Sequence, residues 1–182
     1  MSRRSFTPQE AFEASLGYFN GDTLAAKSWV SKYALKNSDG EVFERTPDDM
    51  HERLADELHR IEKKYPNPVS YDEIYEALRD FKYLIPAGSP MTGIGNDLQV
   101  SSISNCFVAG NESDSYGGIM RTDEQLVQLM KRRGGVGTDL SHIRPESAPV
   151  NNAALTSSGV VSFMDRFSNS TREVAQSGRR GK

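Results

Sequence analysis

Near residue 84 the chain changes its pattern, and that change constrains its fold more than any other feature. Before it, apolar residues recur at three- and four-residue steps, the period of helices that bury one face. After it the chain runs LIPAGSPMTGIGNDLQ, with prolines, glycines and no helical period, which reads as a loop. The first half is therefore expected to be helical. In residues 22–34, Leu24, Trp29, Val30 and Tyr33 fall near one face behind an Asp22 N-cap. A turn at Asp39-Gly40 leads to a short strand. The clearest helix follows. Thr46 caps it, Pro47 takes its first position, and Asp48 and Asp49 face the positive end of its dipole. Met50, Leu54, Leu58, Ile61 and Tyr65 form its apolar stripe, and the PNP at 66–68 stops it. Ser70 with Glu73 predicts a capping box for a further helix that buries Ile74, Leu78 and Phe81. These helices read as scaffold and hold no catalytic constellation.

The second half alternates element types. VSSISNCFVAG reads as a strand through Val100, Ile103, Phe107 and Val108, with a polar alternate face that lines a site. The next stretch, to Arg133, reads as a helix with Ile119, Leu126, Leu129 and Met130 on its apolar side. Arg132 and Arg133 sit at its C-terminal end. GGVG ends it, TDLSHIRP and the loop ESAPVNNAALTSS follow, and a last helix, about 159–175, is expected to bury Val160, Phe163, Met164 and Phe167. This order is that of a parallel α/β structure that needs more chain to close.

Composition removes several classes. The 36% hydrophobic and 26% charged residues describe a globular chain, and the net charge of −3 argues against broad nucleic-acid binding. No apolar run approaches the roughly 20 residues that cross a bilayer. The N-terminus lacks the apolar core of a signal peptide, so the expected location is the cytoplasm. Cys106 is the only cysteine, which excludes an internal disulfide and a cysteine-based metal cluster. His51, His59 and His142 are not at metal-ligand spacing, and no metal site is expected. His51 and His59 are expected to be solvated on one helix.

Taken singly, the chemical motifs stay ambiguous. GGVG at 134–137 has the glycines of a phosphate-cradling turn, yet lacks the Walker ending, and a plain helix-to-strand connector fits it better. A lone cysteine is more often a small buried residue than a reactive one. The QSGRRGK tail is either a flexible basic end or a loop over an anionic ligand.

In order and spacing, SNCFV, DSYGGI, MKRRGGVGTDLSHIRP, APVNNAALTSSGVVSFM and SNSTREVAQSGRRG closely resemble the large, catalytic subunit of ribonucleotide reductase. The resemblance is strongest over 85–181. WVSKYAL, TPDDMHERLADELHRIE and LRDFKYLIPAGSPM resemble the helical region that precedes that family's barrel, and no regulatory ATP-cone is apparent. The wording is nearer the adenosylcobalamin-dependent class II type. The resemblance implies an α/β fold with a helical region over 1–84 and, over 85–182, the first strands and helices of a ten-stranded α/β barrel. It implies thiyl-radical reduction of ribonucleotides to deoxyribonucleotides under dNTP or ATP effector control.

Carried over by position, Cys106 matches the first cysteine of the reducing pair. Ser89, Ser104, Asn105 and Gly135 match substrate-binding positions. Asp114, Ser115, Arg144, Gln176 and Arg180 match effector positions. Residues 145–155 match specificity loop 1, and 176–182 match the start of specificity loop 2. Ser147 departs from the family's glycine in loop 1. The finger loop with the radical cysteine and the partner of Cys106 are absent, so the chain is expected not to turn over substrate alone. The expected partners are a complementary C-terminal reductase polypeptide, nucleotide substrate and effector, a thioredoxin or glutaredoxin-type reductant, and further subunits of a homo- or hetero-oligomer. A processed fragment and a stand-alone nucleotide-binding module are the other readings.

Overall fold

The computed structural model describes residues 4–111 and 113–174. The chain divides into two compact units, one up to Ile103 and one from Ser104.

The first unit is helical: α1 (Pro8–Tyr18), α2 (Thr23–Lys32), α3 (Pro47–Glu62), α4 (Tyr71–Leu78) and the short α5 (Gly88–Gly93). Its helix starts follow side-chain chemistry. The Thr7 hydroxyl accepts from the Glu10 amide while the Glu10 carboxylate accepts from Thr7, a capping box. Ser70 and Glu73 repeat it at α4, and Asp22 accepts from the Ala25 amide at α2. At α3 the Asp49 carboxylate accepts from the Thr46 amide at 3.0 Å. The core gathers Ala11, Trp29, Val30, Val42, Met50, Leu54 and Leu78. The expected strand after Gly40 reduces to isolated antiparallel bridges from Val42 to Phe6 and Lys36.

A buried ion pair pins this unit. Arg53 donates from Nε to Glu44 at 2.6 Å, and from Nη2 to the Met91 carbonyl at 2.7 Å. It also donates to the Ile94 carbonyl, while Glu44 accepts from the Leu35 amide at 2.7 Å. Burial pushes the Glu44 carboxyl up against the opposing pull of Arg53. Through Arg53 the stretch around Met91 and Ile94 is tied to α3 within the first unit.

Four expectations change here. His51 is fully buried, because it shares the inward side of α3 with Met50, Leu54 and Ala55; only His59 has solvent access. Leu24 is 76% exposed, since the packed face of α2 is that of Ala26, Trp29 and Val30 and Leu24 falls on the other side of the helix. α3 ends at Glu62, which leaves Tyr65 past the helix and exposed. The glycine- and proline-rich loop contains the α5 turn, held by the Thr92 hydroxyl donating to the Gly88 carbonyl at 3.0 Å.

The second unit is built of β1 (Cys106–Gly110), α6 (Tyr116–Met130), β2 (Gly135–Asp139) and α7 (Val160–Val174). β1 and β2 pair in parallel, with Cys106 opposite Gly135 and Val108 opposite Gly137. Among the described residues they form an unclosed two-stranded sheet. One crossover helix between parallel strands is the βαβ arrangement that opens an α/β barrel. Ile119, Leu126, Met130, Ile143, Phe167 and Val174 form the core, and Arg166 of α7 donates to Asp123 of α6 at 3.1 Å.

The strand begins at Cys106, later than the expected start near Val100. Val100 and Ile103 are exposed and have no strand partner. Met164, expected inside, is 49% exposed on the outer side of α7. The GGVG stretch is the connector and the start of β2. The Gly134 amide closes α6 on the Leu129 carbonyl at 3.0 Å, and a Cβ at Gly134 would lie 2.7 Å from the Phe107 ring. Only glycine lets the chain turn so close beneath that ring.

Candidate functional site

Two groups of residues stand out in the second unit. The first is on the strand pair. Side chains alternate along β1: Phe107 and Ala109 are the more buried, while Cys106 and Val108 are exposed. Cys106 is a free thiol at the first position of the strand, and its partner in register has no side chain. The Asn105 carbonyl accepts from the Gly135 amide at 2.7 Å, so Asn105, Cys106 and Gly135 are joined by backbone. Ser104, just before them, is exposed. The more frequent fate of a lone cysteine, burial, does not apply to Cys106.

The second group surrounds a cavity of about 460 Å³ at the start of α6. Asp114, Ser115, Tyr116, Arg144, Thr156 and Phe163 are among its lining residues. Ser115 is the N-cap, accepting from the Gly118 amide at 3.2 Å. The Asp114 carboxylate accepts from the Arg144 amide at 3.2 Å and from the Arg144 side chain through Nε. Burial acts to raise the Asp114 carboxyl, but the bonds from Arg144 outweigh it and hold it below the usual carboxylate range. Arg144 Nη1 donates to the Pro149 carbonyl at 2.9 Å.

The loop after Arg144 is ordered by its own backbone. Pro149 and Thr156 form an antiparallel bridge, and the Ser147 and Ser157 amides donate to Ser157 and Ala148 carbonyls, each at 2.9 Å. Ser147 has φ +66°, in the left-handed region that favours glycine. Tyr116 and Phe163 meet edge-on at 5.9 Å between ring centroids on the wall of the cavity.

The structure thus brings Asp114, Ser115 and Arg144 together, and separately Asn105, Cys106 and Gly135. Ser89 lies in the first unit, buried on α5, where its carbonyl accepts from the Thr92 hydroxyl at 3.2 Å. Gln176 and Arg180 lie outside the described residues. Among the described residues no group of three or more His, Cys, Asp and Glu side chains is placed to hold a metal ion, and no helix is long and apolar enough to cross a membrane. The hairpin-like closure of the 145–156 loop and the Arg144 to Pro149 bond had no signal in the sequence, because both are made by backbone carbonyls.

A parallel βαβ unit, here with an exposed thiol at a strand start and a polar cavity at a helix N-terminus, is the unit from which α/β folds, doubly wound sheets and barrels alike, are built. Known proteins name it further. Residues 19–99 match the ribonucleotide reductase all-alpha domain, and residues 104–182 match the ribonucleotide reductase barrel domain. The chain belongs to the ribonucleotide reductase large-subunit family. It is 28% identical to the ribonucleoside-diphosphate reductase large chain of Neurospora crassa, over 93% of this chain and 18% of that protein. The large subunit of Arabidopsis thaliana is 28% identical over 88% of this chain and 18% of its own length. That of variola virus is 27% identical over 90% and 19%. The chain therefore spans about a fifth of the length of these curated relatives.

Proposed function

We propose that this chain forms the first part of a ribonucleotide reductase catalytic site, with Cys106 as one of its two reducing thiols. The relatives' names speak of ribonucleoside diphosphates, and that substrate class is carried to this chain on the strength of the match. In the proposed reaction, begun by a thiyl radical outside these residues, the substrate's 2′ C–O bond breaks and a C–H bond forms. The hydroxyl leaves as water, and two thiols become a disulfide, supplying two electrons. Cys106 is the only cysteine here, so the second thiol comes from outside these 182 residues. A thioredoxin or glutaredoxin-type dithiol then restores the pair.

The observation that carries this reading is the exposure of Cys106 opposite a glycine, on the side of the strand pair away from Phe107 and Ala109. The glycine leaves room for a ribose against the thiol, and the neighbouring Ser104 and Asn105 offer polar groups beside it. Ser89 is proposed as a further substrate-binding residue on the resemblance.

The cavity at α6 is the proposed effector site for a dNTP or ATP. Support comes from its volume, the polar groups of Asp114, Ser115 and Arg144, and the rings of Tyr116 and Phe163. Gln176 and Arg180 are proposed to join effector to substrate. A complementary C-terminal reductase polypeptide is the proposed source of the remaining barrel, since the unpaired edges of a two-stranded sheet favour strand addition. An oligomer and a cytoplasmic location complete the proposal.

Adenosylcobalamin rests on motif wording alone. No residue of this chain is assigned to it.

The test is reconstitution. The chain is combined with a polypeptide carrying the rest of a reductase barrel, and deoxyribonucleotide formation is followed with dithiol and dNTP. Dithiol-dependent product with dNTP stimulation is expected. A chain that stays a non-associating monomer and yields no product with any such partner would refute the proposal.

A further inference from the structure

Position alone makes Arg144 a candidate to meet the effector's phosphates, but its hydrogen bonds describe another task. Its backbone amide and Nε both donate to the Asp114 carboxylate, which immediately precedes the Ser115 cap of α6. Its Nη1 reaches forward to the Pro149 carbonyl at 2.9 Å. Pro149 is one half of the bridge to Thr156 that closes the loop, and Val150, Thr156 and Ser157 line the cavity. One guanidinium thus joins the start of α6 to the loop that forms the opposite wall. The planar fork of arginine makes this possible, because its donors diverge at fixed angles toward two acceptors; a lysine ammonium has no such fork.

We propose that Arg144 is a positioning residue that clamps the 145–156 loop to the start of α6 through Asp114, so that the cavity is formed before any ligand enters. The carboxylate beside it largely offsets its charge, so the arginine contributes little net attraction for an anion while this bond persists. Two further features agree. Asp114 is held ionised by the same bonds. Ser147 sits in a backbone conformation that an L-residue rarely adopts, and such a conformation persists where surrounding bonds over-determine it.

The inference goes beyond the effector reading, and its first test needs no nucleotide. Hydrogen exchange is measured on the ligand-free chain and on Arg144→Lys. The reporting amides are Ser147, Val150 and Ser157, each bonded within the loop. In the variant they are expected to exchange about tenfold faster, while amides inside α6 and α7 keep their protection. Unchanged loop protection would overturn the proposal. Should α6 lose protection as well, Asp114→Asn, which keeps the shape and removes the charge, replaces it. Faster exchange of the same three amides is again the expected result, and no change is again the contrary one.

The second arm rests on the nucleotide reading. Deoxyadenosine and dATP are titrated into both proteins. A clamp lowers the affinity for both by the same factor, and the effects of Arg144→Lys and Asp114→Asn do not add. Loss confined to dATP would contradict the clamp and make Arg144 a phosphate ligand. If neither compound binds the wild type, the effector reading fails while the exchange result still decides the clamp.

Discussion

Replacing His51 by leucine is expected to make the helical unit more stable. The His51 ring is fully buried, and neither ring nitrogen has a hydrogen-bond partner. The nearest carboxylate oxygen, on Asp48, is 4.0 Å from Nδ1, and the Phe81 ring stands edge-on at 4.6 Å. A buried polar atom without a partner costs about 1–3 kcal/mol. Leucine cannot reproduce the edge-on pairing of the two rings, which is worth about 0.5–1.5 kcal/mol. His51→Leu should therefore stabilise by roughly 1–2 kcal/mol at pH 7.

The pH dependence separates this cause from general packing. Burial lowers the His51 pKa, and the charges of Asp48 and Asp80 oppose it only in part. A base with a depressed folded pKa contributes stability that is present above its unfolded value, about 6.5. That contribution is lost as pH falls through the folded value. Only the wild type carries it, so the gap between the two proteins should widen from pH 7 to about pH 5.5. Urea unfolding followed by Trp29 reads this unit alone, because it is the only tryptophan and lies in the same core cluster. A less stable leucine variant at pH 7, or a gap that does not widen on acidification, would refute the reasoning.

Other perturbations give directions as definite. Arg53→Met removes the charge that opposes the burial of the Glu44 carboxyl and leaves the Met91 and Ile94 carbonyls without their Arg53 donor. It should destabilise the first unit by about 3–5 kcal/mol, read by the same Trp29 unfolding. Ser147→Gly relieves a positive φ and should stabilise the second unit by about 1 kcal/mol in thermal unfolding monitored by helix content. Gly159→Ala, at φ +76° with the Glu146 Cβ 2.8 Å from the added methyl, should lower the melting temperature of the same transition.

The parts of the fold readable from sequence are those whose ends are fixed by side chains. Thr46-Pro47 and Ser70 with Glu73 announce α3 and α4 because caps and apolar period agree there. α1 carries no such stripe, since its buried residues are the small Ala11 and Ser15, which pack by close approach. β2 is hidden in GGVG because glycine has little strand preference of its own; its pairing with β1 makes it a strand. The burial of His51 follows from position, since 47, 50, 51, 54 and 55 share a helical face, whereas its residue type points to solvent.

At the candidate site, chemistry and geometry are legible to different degrees. The motifs imply which residues matter, but Asp114 and Arg144 are separated by 30 positions, and only the fold reveals that they bond each other. The exposure of Cys106 is likewise set by the strand's alternation and by the glycine opposite, neither of which a lone cysteine announces.

The central claim is that Cys106 is a reducing thiol and not a structural residue. The most direct measurement compares wild type with Cys106→Ser in the reconstituted reductase, following deoxyribonucleotide formed with excess dithiol alongside dNTP binding. The account predicts that multiple turnover is abolished while the fold and dNTP affinity stay nearly unchanged. Sustained dithiol-dependent turnover by the serine variant would contradict it.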